Sequence, residues 1–308
     1  MTARIPSGNL EAQRLRMGVI ERAVEYYSEG SRIAGVMYLP DALSGTVPGV
    51  VLCHGFTGIK ELILPDYGRG FAEAGIAALA FDYRGFGESE GPRGRLIARR
   101  QVEDIRNSVT FLGTVSEVDP RRLGLWGTSY GAGNVIVAAA EDARVGCVVA
   151  QVGFADGARS RESAAAGGLA AVIEAERQRR VLTNQSTMVD SLQLLSDPET
   201  VAFFTEARSR LPALAQQISL EFLEAHRGHR PIEAVKHLSA CPLLLVAAEL
   251  DSVTPAADSA ELYAAAPEPK RLVILEGIRH YEIYSGEPLR RSIAEAVAWF
   301  GGHLATRE

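Results

Sequence analysis

The sequence predicts an α/β fold with a mostly parallel central sheet and helices on both faces of that sheet. Short apolar runs recur along the chain, and they are continuous rather than alternating, as in strands that are covered on both faces. Segments with helical periodicity separate the runs, and this alternation implies parallel strands joined by right-handed crossovers. The predicted strands are 49–53, 76–81, 123–126, 147–150, 243–247 and 272–275, and the predicted helices are 64–74, 95–112, 131–140 and 256–265.

An antiparallel pair of strands is predicted before this alternation begins. Extended residues at 19–27 and 33–39 flank Ser28-Glu29-Gly30, which is a turn typical of a hairpin. Residues 1–16 precede the pair. The sequence leaves them open as an arm that packs on a neighbouring chain or as a disordered end.

The segment 158–230 interrupts the alternation. It has no strand-like run and is predicted to form several helices, one of which begins at residues 196–199, where Ser196 and Glu199 fit a capping box. Because loops at the carboxyl ends of parallel strands face the ligand crevice, we expect this segment to form a helical cap. The alternative is an ordinary pair of helices on the outer face. Residues 1–157 and 231–308 then form the core domain.

Composition excludes several classes of protein. The 308 residues are 47% hydrophobic and 23% charged, which is typical of a globular protein and argues against disorder, collagen and coiled coil. The net charge of −6 makes the chain a poor partner for nucleic acid or an anionic membrane. We find no apolar stretch that predicts a signal peptide or a membrane span, so a cytoplasmic protein is expected. Cys53, Cys147 and Cys241 lie in or beside apolar runs and are predicted to be buried hydrophobic side chains.

Gly127-Thr128-Ser129-Tyr130-Gly131 has the G-x-S-x-G pattern of a nucleophile elbow. The pentapeptide alone is weak evidence, but a predicted strand ends directly before it and a predicted helix follows directly after it. The flanking glycines permit a tight turn without a Cβ clash, and backbone N–H groups at the helix N-terminus favour a developing anion. The alternative is a phosphate-binding turn, but the Walker lysine and the G-x-G-x-x-G spacing are missing.

A serine nucleophile needs a general base, and the base needs an orienting acid. His280 follows the last predicted strand, where its loop would face the elbow, and it is the predicted base; the alternative is an ordinary loop histidine. Asp251 follows the strand 243–247 and is the preferred acid, with a helix-capping role as its alternative. Glu249 and Asp258 are rival acids, but the first lies close to the strand and the second lies within the next predicted helix. Four further histidines in the second half of the chain are predicted to lie at the surface: His226, His229, His237 and His303.

In the order of these features the chain resembles the α/β-hydrolases. The elbow, the His54-Gly55 loop, the loop 251–255 and the late histidine follow one another as in that superfamily, and residues 81–89 match its D-x-R-G-x-G-x-S stretch. The resemblance covers about residues 28–302. The GTSYG elbow and the two-stranded start resemble dienelactone-hydrolase-like esterases and the catalytic domains of prolyl-oligopeptidase-type peptidases. The chain lacks the additional domains of those peptidases and the HGGG loop of hormone-sensitive-lipase-type esterases.

The resemblance implies a serine hydrolase that works through an acyl-enzyme. The backbone N–H of Tyr130 is the first expected oxyanion donor because it follows the nucleophile, and the resemblance implies the N–H of Phe56 as the second. No cofactor or metal is expected, the expected partner is a small-molecule substrate, and a homo-oligomer stays open. Cleavage of a carboxylic ester is the leading prediction. The same triad could cleave a carbon–carbon bond of a β-diketone or an amide, and the non-enzymatic alternative is a ligand-binding protein that has kept the fold.

Overall fold

The computed structural model describes residues 18–159, 168–214, 217–239 and 241–305, so residues 1–16 lie outside the described part of the chain. The strands are β1 (Val19–Ser28), β2 (Ser31–Pro40), β3 (Val47–Cys53), β4 (Ala77–Phe81), β5 (Val118–Thr128), β6 (Val145–Gln151), β7 (Met188–Asp190), β8 (Gln217–Ser219), β9 (Leu243–Ala248) and β10 (Lys270–Leu275). The α-helices are α1 (Leu64–Glu73), α2 (Ala98–Leu112), α3 (Tyr130–Glu141), α4 (Gly168–Thr183), α5 (Pro198–Arg210), α6 (Glu221–Arg227), α7 (Pro231–Ala234), α8 (Ala256–Ala265) and α9 (Gly286–His303).

Eight of these strands form one sheet in the order β1-β2-β4-β3-β5-β6-β9-β10. β2 pairs antiparallel with β1 and with β4, and all other neighbours are parallel. The predicted hairpin is present, and its turn residues Glu29 and Gly30 both have positive φ. The predicted fold class is therefore confirmed. Its parallel strands place the carboxyl ends of β5, β9 and β10 on the same edge of the sheet.

The core has one apolar layer on each face of the sheet. Leu79 and Leu125 point into one layer, whereas their neighbours Ala80 and Trp126 point into the other, because successive side chains of a strand alternate between faces. Helices α2, α3 and α8 cover the first layer, and α1 and α9 cover the second. Since both layers are closed, the central strands are apolar throughout, which explains the continuous runs in the sequence.

The segment 158–230 lies between β6 and α7 and differs from the prediction in two details. It contains the strands β7 and β8, which pair antiparallel; each is three residues long, too short for a strand pattern to be visible in the sequence. Helix α5 is capped by Asp197, whose carboxylate accepts the N–H of Thr200 at 2.9 Å, so the predicted capping box with Ser196 is wrong. The Glu199 carboxylate instead accepts the N–H of Tyr281 at 3.0 Å.

Two of the histidine predictions are also wrong. His226 and His229 are buried, because their rings pack with those of Tyr130 and Phe154. His237 is exposed, as predicted. A polar helix end in the sequence thus does not reveal that the helix packs against an aromatic surface.

The three cysteines are buried and free, as predicted. Within the described residues, every helix is too short or too polar to serve as a membrane span.

Candidate active site

Ser129 lies at a sharp turn between β5 and α3. Its φ of 54° and ψ of −119° are rarely adopted by a residue with a side chain, and such strained backbone is typical of a nucleophile elbow. The backbone N–H of Ser129 donates to the backbone carbonyl oxygen of Gln151 at 2.9 Å, and this bond connects the turn to β6. The glycines on either side of Ser129 are needed because backbone segments pass very close to them. A Cβ at residue 127 would collide with the carbonyl of Gly131, and a Cβ at residue 131 would collide with the carbonyl of Cys53.

The structure brings Ser129, His280 and Asp251 together from three separate loops. The His280 Nε2 atom lies 3.2 Å from Ser129 Oγ, and its Nδ1 atom lies 2.7 Å from Asp251 Oδ2. Asp251 Oδ1 also accepts the N–H groups of Val253 and Thr254 at 2.8 and 2.7 Å. The carboxylate is therefore fixed by its own loop, and the histidine tautomer with a proton on Nδ1 satisfies the contact with Asp251.

Thr254 is a buried neighbour of this row to which the sequence assigned no role. Its Oγ1 lies 2.7 Å from the backbone carbonyl oxygen of Val152, 3.0 Å from Asp251 Oδ2 and 3.2 Å from His280 Nδ1. A hydroxyl has one proton, so it donates to either Val152 or Asp251 at a given moment. The only signal in the sequence is its position three residues after the acid.

The predicted oxyanion donors lie beside the nucleophile. Tyr130 is the first residue of α3 and directly follows Ser129. The loop that contains Phe56 lies next to the elbow, since a Cβ on its neighbour Gly55 would be 3.0 Å from Ser129 Cβ. Within the described residues, no hydrogen bond is formed by the backbone N–H of Phe56 or Tyr130. Both groups are thus available to an anion, but their role stays a prediction.

The rival residues have other partners. The exposed Glu249 accepts the N–H of Gly277 at 2.8 Å, and Asp258 accepts that of Ala155 at 3.0 Å. Burial raises the pKa of Asp258. His54 is buried, its Nδ1 lies 3.0 Å from the Gly55 oxygen, and burial lowers its pKa, so its ring is a neutral part of the loop rather than a base.

The D-x-R-G-x-G-x-S stretch supports the loop beside the site. Buried Asp82 accepts the backbone N–H of Lys60 at 2.8 Å and its ammonium at 2.9 Å. The oxygens of Glu61, Asp82 and Glu88 lie close enough together for a metal ion, but the Lys60 ammonium contacts all three carboxylates. Burial by itself would lower the pKa of Lys60, but the charge of Asp82 and the neighbouring acids outweigh it and raise that pKa. A lysine ammonium therefore already lies among these three carboxylates, where a metal ion would bind.

An apolar cavity opens onto Ser129 and His280. It has an empty volume of about 440 Å³ including its mouth. Residues of α5 and its preceding loop form one wall and core residues form the other, and no Asp, Glu, Lys or Arg among the described residues lines it. The apolar lining residues are Phe56, Leu62, Ile63, Leu195, Phe203, Phe204, Val253, Tyr281 and Tyr284. Phe203 stacks on Tyr281, which follows the candidate base, with a centroid distance of 4.3 Å.

The chain matches the family model described as serine aminopeptidase, S33, over residues 47–285. It belongs to this family of α/β-hydrolases. A protein of Escherichia coli, described as an uncharacterized 31.7 kDa protein in the traX-finO intergenic region, is 38% identical over 83% of this chain and 91% of its own length. The thiohydrolase aneE of Aspergillus aculeatus is 29% identical over 84% of this chain and 85% of its own.

A solved structure with the same fold is that of the α/β hydrolase GrgF from Penicillium. It has a TM-score of 0.79 and 24% identity, and it covers 93% of this chain and 100% of its own. The predicted resemblance to the α/β-hydrolases is thus confirmed, and the protein is a hydrolase of that superfamily.

Proposed function

We propose that the protein is a serine hydrolase that cleaves the carboxylic ester of an apolar acyl group. Ser129 is the nucleophile, His280 the general base and Asp251 the orienting acid. The observation that carries the proposal is the continuous row from Ser129 Oγ to His280 Nε2 at 3.2 Å and from His280 Nδ1 to Asp251 at 2.7 Å. This arrangement is the one that makes a serine hydroxyl nucleophilic.

The reaction proceeds in two halves. Ser129 Oγ attacks the carbonyl carbon while its proton moves to His280 Nε2, and Asp251 stabilises the imidazolium. The N–H groups of Tyr130 and Phe56 receive the carbonyl oxygen as it becomes an anion. The tetrahedral intermediate collapses, the alcohol leaves with the proton from His280, and the acyl group stays on Ser129. Water then loses a proton to His280 and attacks the acyl-enzyme. The bond between the acyl group and Ser129 Oγ breaks, the acid leaves, and His280 returns the proton to Ser129.

The cavity supports an uncharged, apolar acyl group. Its walls carry aromatic and aliphatic side chains, and a charged group would lose its hydration there without gaining an ion pair. The close packing of Phe203 on Tyr281 also limits the width of the acyl group that fits beside His280.

Thioester cleavage is the second candidate. It is favoured by the relative named thiohydrolase aneE. The same triad attacks either carbonyl, and an apolar cavity accepts the acyl group of both. The two candidates differ in the leaving group, which is a thiol or an alcohol, so substrates with one acyl group and two leaving groups separate them.

The test is turnover of p-nitrophenyl esters of graded acyl length and of matched thioesters, amides and β-diketones. We expect ester cleavage by the natural protein and a loss of about 10⁴- to 10⁶-fold in Ser129→Ala, because the members of a triad act as a unit. Ser116→Ala, at an exposed serine, is the matched control and should keep full activity. An unchanged ester rate in Ser129→Ala would refute the mechanism, and a thioester preference would replace the leading candidate with the second.

A further inference from the structure

A second cavity lies where the segment 158–230 meets the core. Its walls come from the loop 92–95, from the end of α4 with the residues that follow it, and from the start of α6. The empty volume is about 740 Å³ including the mouth. This junction cavity shares no lining residue with the cavity at Ser129, so it is a separate site.

The junction cavity is rich in positive charge. Arg93, Arg95 and Arg180 line it, and Glu221 is the single carboxylate in its wall. Glu221 accepts two hydrogen bonds from Arg95, at 2.6 and 2.9 Å, and its Oε1 also lies 2.9 Å from the Arg180 guanidinium. Arg180 also forms an ion pair with Glu224, which lies outside the cavity lining, so Glu221 and Glu224 together pair with Arg95 and Arg180.

Arg93 has no carboxylate partner within the described residues. Its guanidinium donates to two backbone oxygens, those of Ser89 at 3.1 Å and Gly87 at 3.0 Å, which leave its charge uncompensated. Arg100 is half-buried nearby and likewise forms no ion pair with a described acid. Burial lowers the pKa of Arg100, and the neighbouring charges of Arg95 and Arg84 lower it further.

Neutral hydrogen-bond donors complete the lining. The amide groups of Asn184 and Gln185 and the hydroxyl of Ser186 form no hydrogen bond with another described side chain. Ser219 Oγ accepts the N–H of Glu221 at 3.1 Å, so its own proton is free to donate. The cavity thus offers many donors and one acid, which is the reverse of a cation site.

We propose that the junction cavity binds the phosphate group of a soluble small-molecule ligand. A guanidinium presents two parallel N–H groups that match the spacing of phosphate oxygens, and the pair is stronger than a neutral hydrogen bond. The site does not depend on the proposed function. It lies close to the catalytic region, because Phe222, the residue after Glu221, packs on Phe56 with a centroid distance of 5.1 Å and on Tyr130 at 5.8 Å.

The test is calorimetric titration of the full chain with inorganic pyrophosphate at physiological salt. We expect saturable binding of one pyrophosphate per chain. Gln185→Glu adds a carboxylate to the rim at an exposed position, where it cannot disturb the core, and should weaken binding about tenfold through repulsion and pairing with the arginines. Arg93→Ala should weaken binding by a similar factor. Gln193→Glu is the matched control, because Gln193 is exposed and lies outside the cavity, and it should bind like the natural protein.

Three results would overturn the proposal. The first is the absence of saturable binding. The second is an equal loss in Gln185→Glu and Gln193→Glu, since a diffuse electrostatic effect does not depend on position. The third is Arg93-dependent binding to vesicles that contain phosphatidic acid, with none to pyrophosphate, because that pattern belongs to a membrane-facing patch rather than to a cavity for a soluble ligand.

Discussion

The edge of the sheet that carries the proposed triad and helix α4 of the segment 158–230 are built in different ways. Every residue of β4 and β9 is buried, whereas α4 buries only Glu176 among its described residues and exposes 82% of Leu182. Elsewhere the segment joins the core through buried apolar residues such as Ile218 and Phe222. Polar contacts add to these, such as the ion pair of Arg95 with Glu221 and the bond from the Tyr281 N–H to Glu199.

This difference indicates that the residues proposed for catalysis and those proposed for substrate selection lie in parts of the molecule that are packed differently. A sheet that is packed on both faces holds the loops of Ser129, Asp251 and His280 at fixed distances, as a triad requires. Helix α4 buries little apolar surface and can change without disturbing that geometry. The role of the segment 158–230 as a cap that selects the substrate is our proposal, supported by the contribution of Phe203 and Phe204 to the wall of the cavity at Ser129.

The largest expected effect compares two acids on the loop after β9. Asp251→Asn should lower kcat about 10³- to 10⁴-fold, because an amide cannot hold the required histidine tautomer or balance the imidazolium. Glu249→Gln, two residues earlier, should keep nearly full activity, since its carboxylate only accepts the Gly277 N–H. Steady-state ester hydrolysis measures both. Equal losses in the two variants would remove Asp251 from the triad.

Stability should separate the two regions as clearly as activity does. Leu125→Ala in β5 should lower the free energy of unfolding by about 2 to 5 kcal/mol, because it leaves a cavity in a closed core. Leu182→Ala at the end of α4 should change it by less than about 0.5 kcal/mol. Urea denaturation of both variants makes the comparison. A large loss in Leu182→Ala would mean that α4 is packed more tightly than its exposure indicates.

The border between the two regions should be sensitive to acid through His229. Burial lowers the pKa of His229 from 6.5 to about 4, so the unfolded chain binds a proton that the folded chain does not between these values. Stability is therefore full above pH 6.5 and falls as the pH decreases toward 4, by up to about 3 kcal/mol from this group. The free energy of unfolding is measured against pH for the natural protein and for His229→Phe. The difference between the two profiles should fall in this way as the pH decreases. Parallel pH profiles would contradict a neutral, buried His229.

The smallest effect concerns the wall of the catalytic cavity. Phe203→Ala should raise KM for a medium-chain ester about tenfold with a smaller change in kcat, because the ring contributes apolar surface and stacks on Tyr281. Val201→Ala, on the exposed side of α5, is the control and should not change KM. A fall in kcat alone in Phe203→Ala would mean that the ring positions His280 rather than the substrate.

The same contrast explains what could be predicted from the sequence. The strands 243–247 and 123–126 were visible because burial on both faces makes them continuously apolar, and the elbow was visible because its glycines are required by the close approach of Gly131 to Cys53. The order of loops on a parallel sheet then indicated Asp251 and His280. These features depend on local pattern and topology.

The remainder depends on packing between distant segments, which leaves little local pattern. The burial of His226 and His229 follows from their contact with Tyr130, almost one hundred residues earlier in the chain. The hydroxyl of Thr254 reaches Asp251 and His280 only because the loop folds back on itself. The cap of α5 by Asp197 instead of Ser196 depends on a shift of one residue, which sequence patterns do not resolve.

The most direct test of the central claim is covalent labelling of the intact protein with a fluorophosphonate, followed by peptide mapping. An activated Ser129 should take up one label per chain, and His280→Ala should slow the reaction strongly, because the label reacts only with a serine whose proton is removed. Absence of the label, its attachment to another serine, or an unchanged rate in His280→Ala would contradict the account.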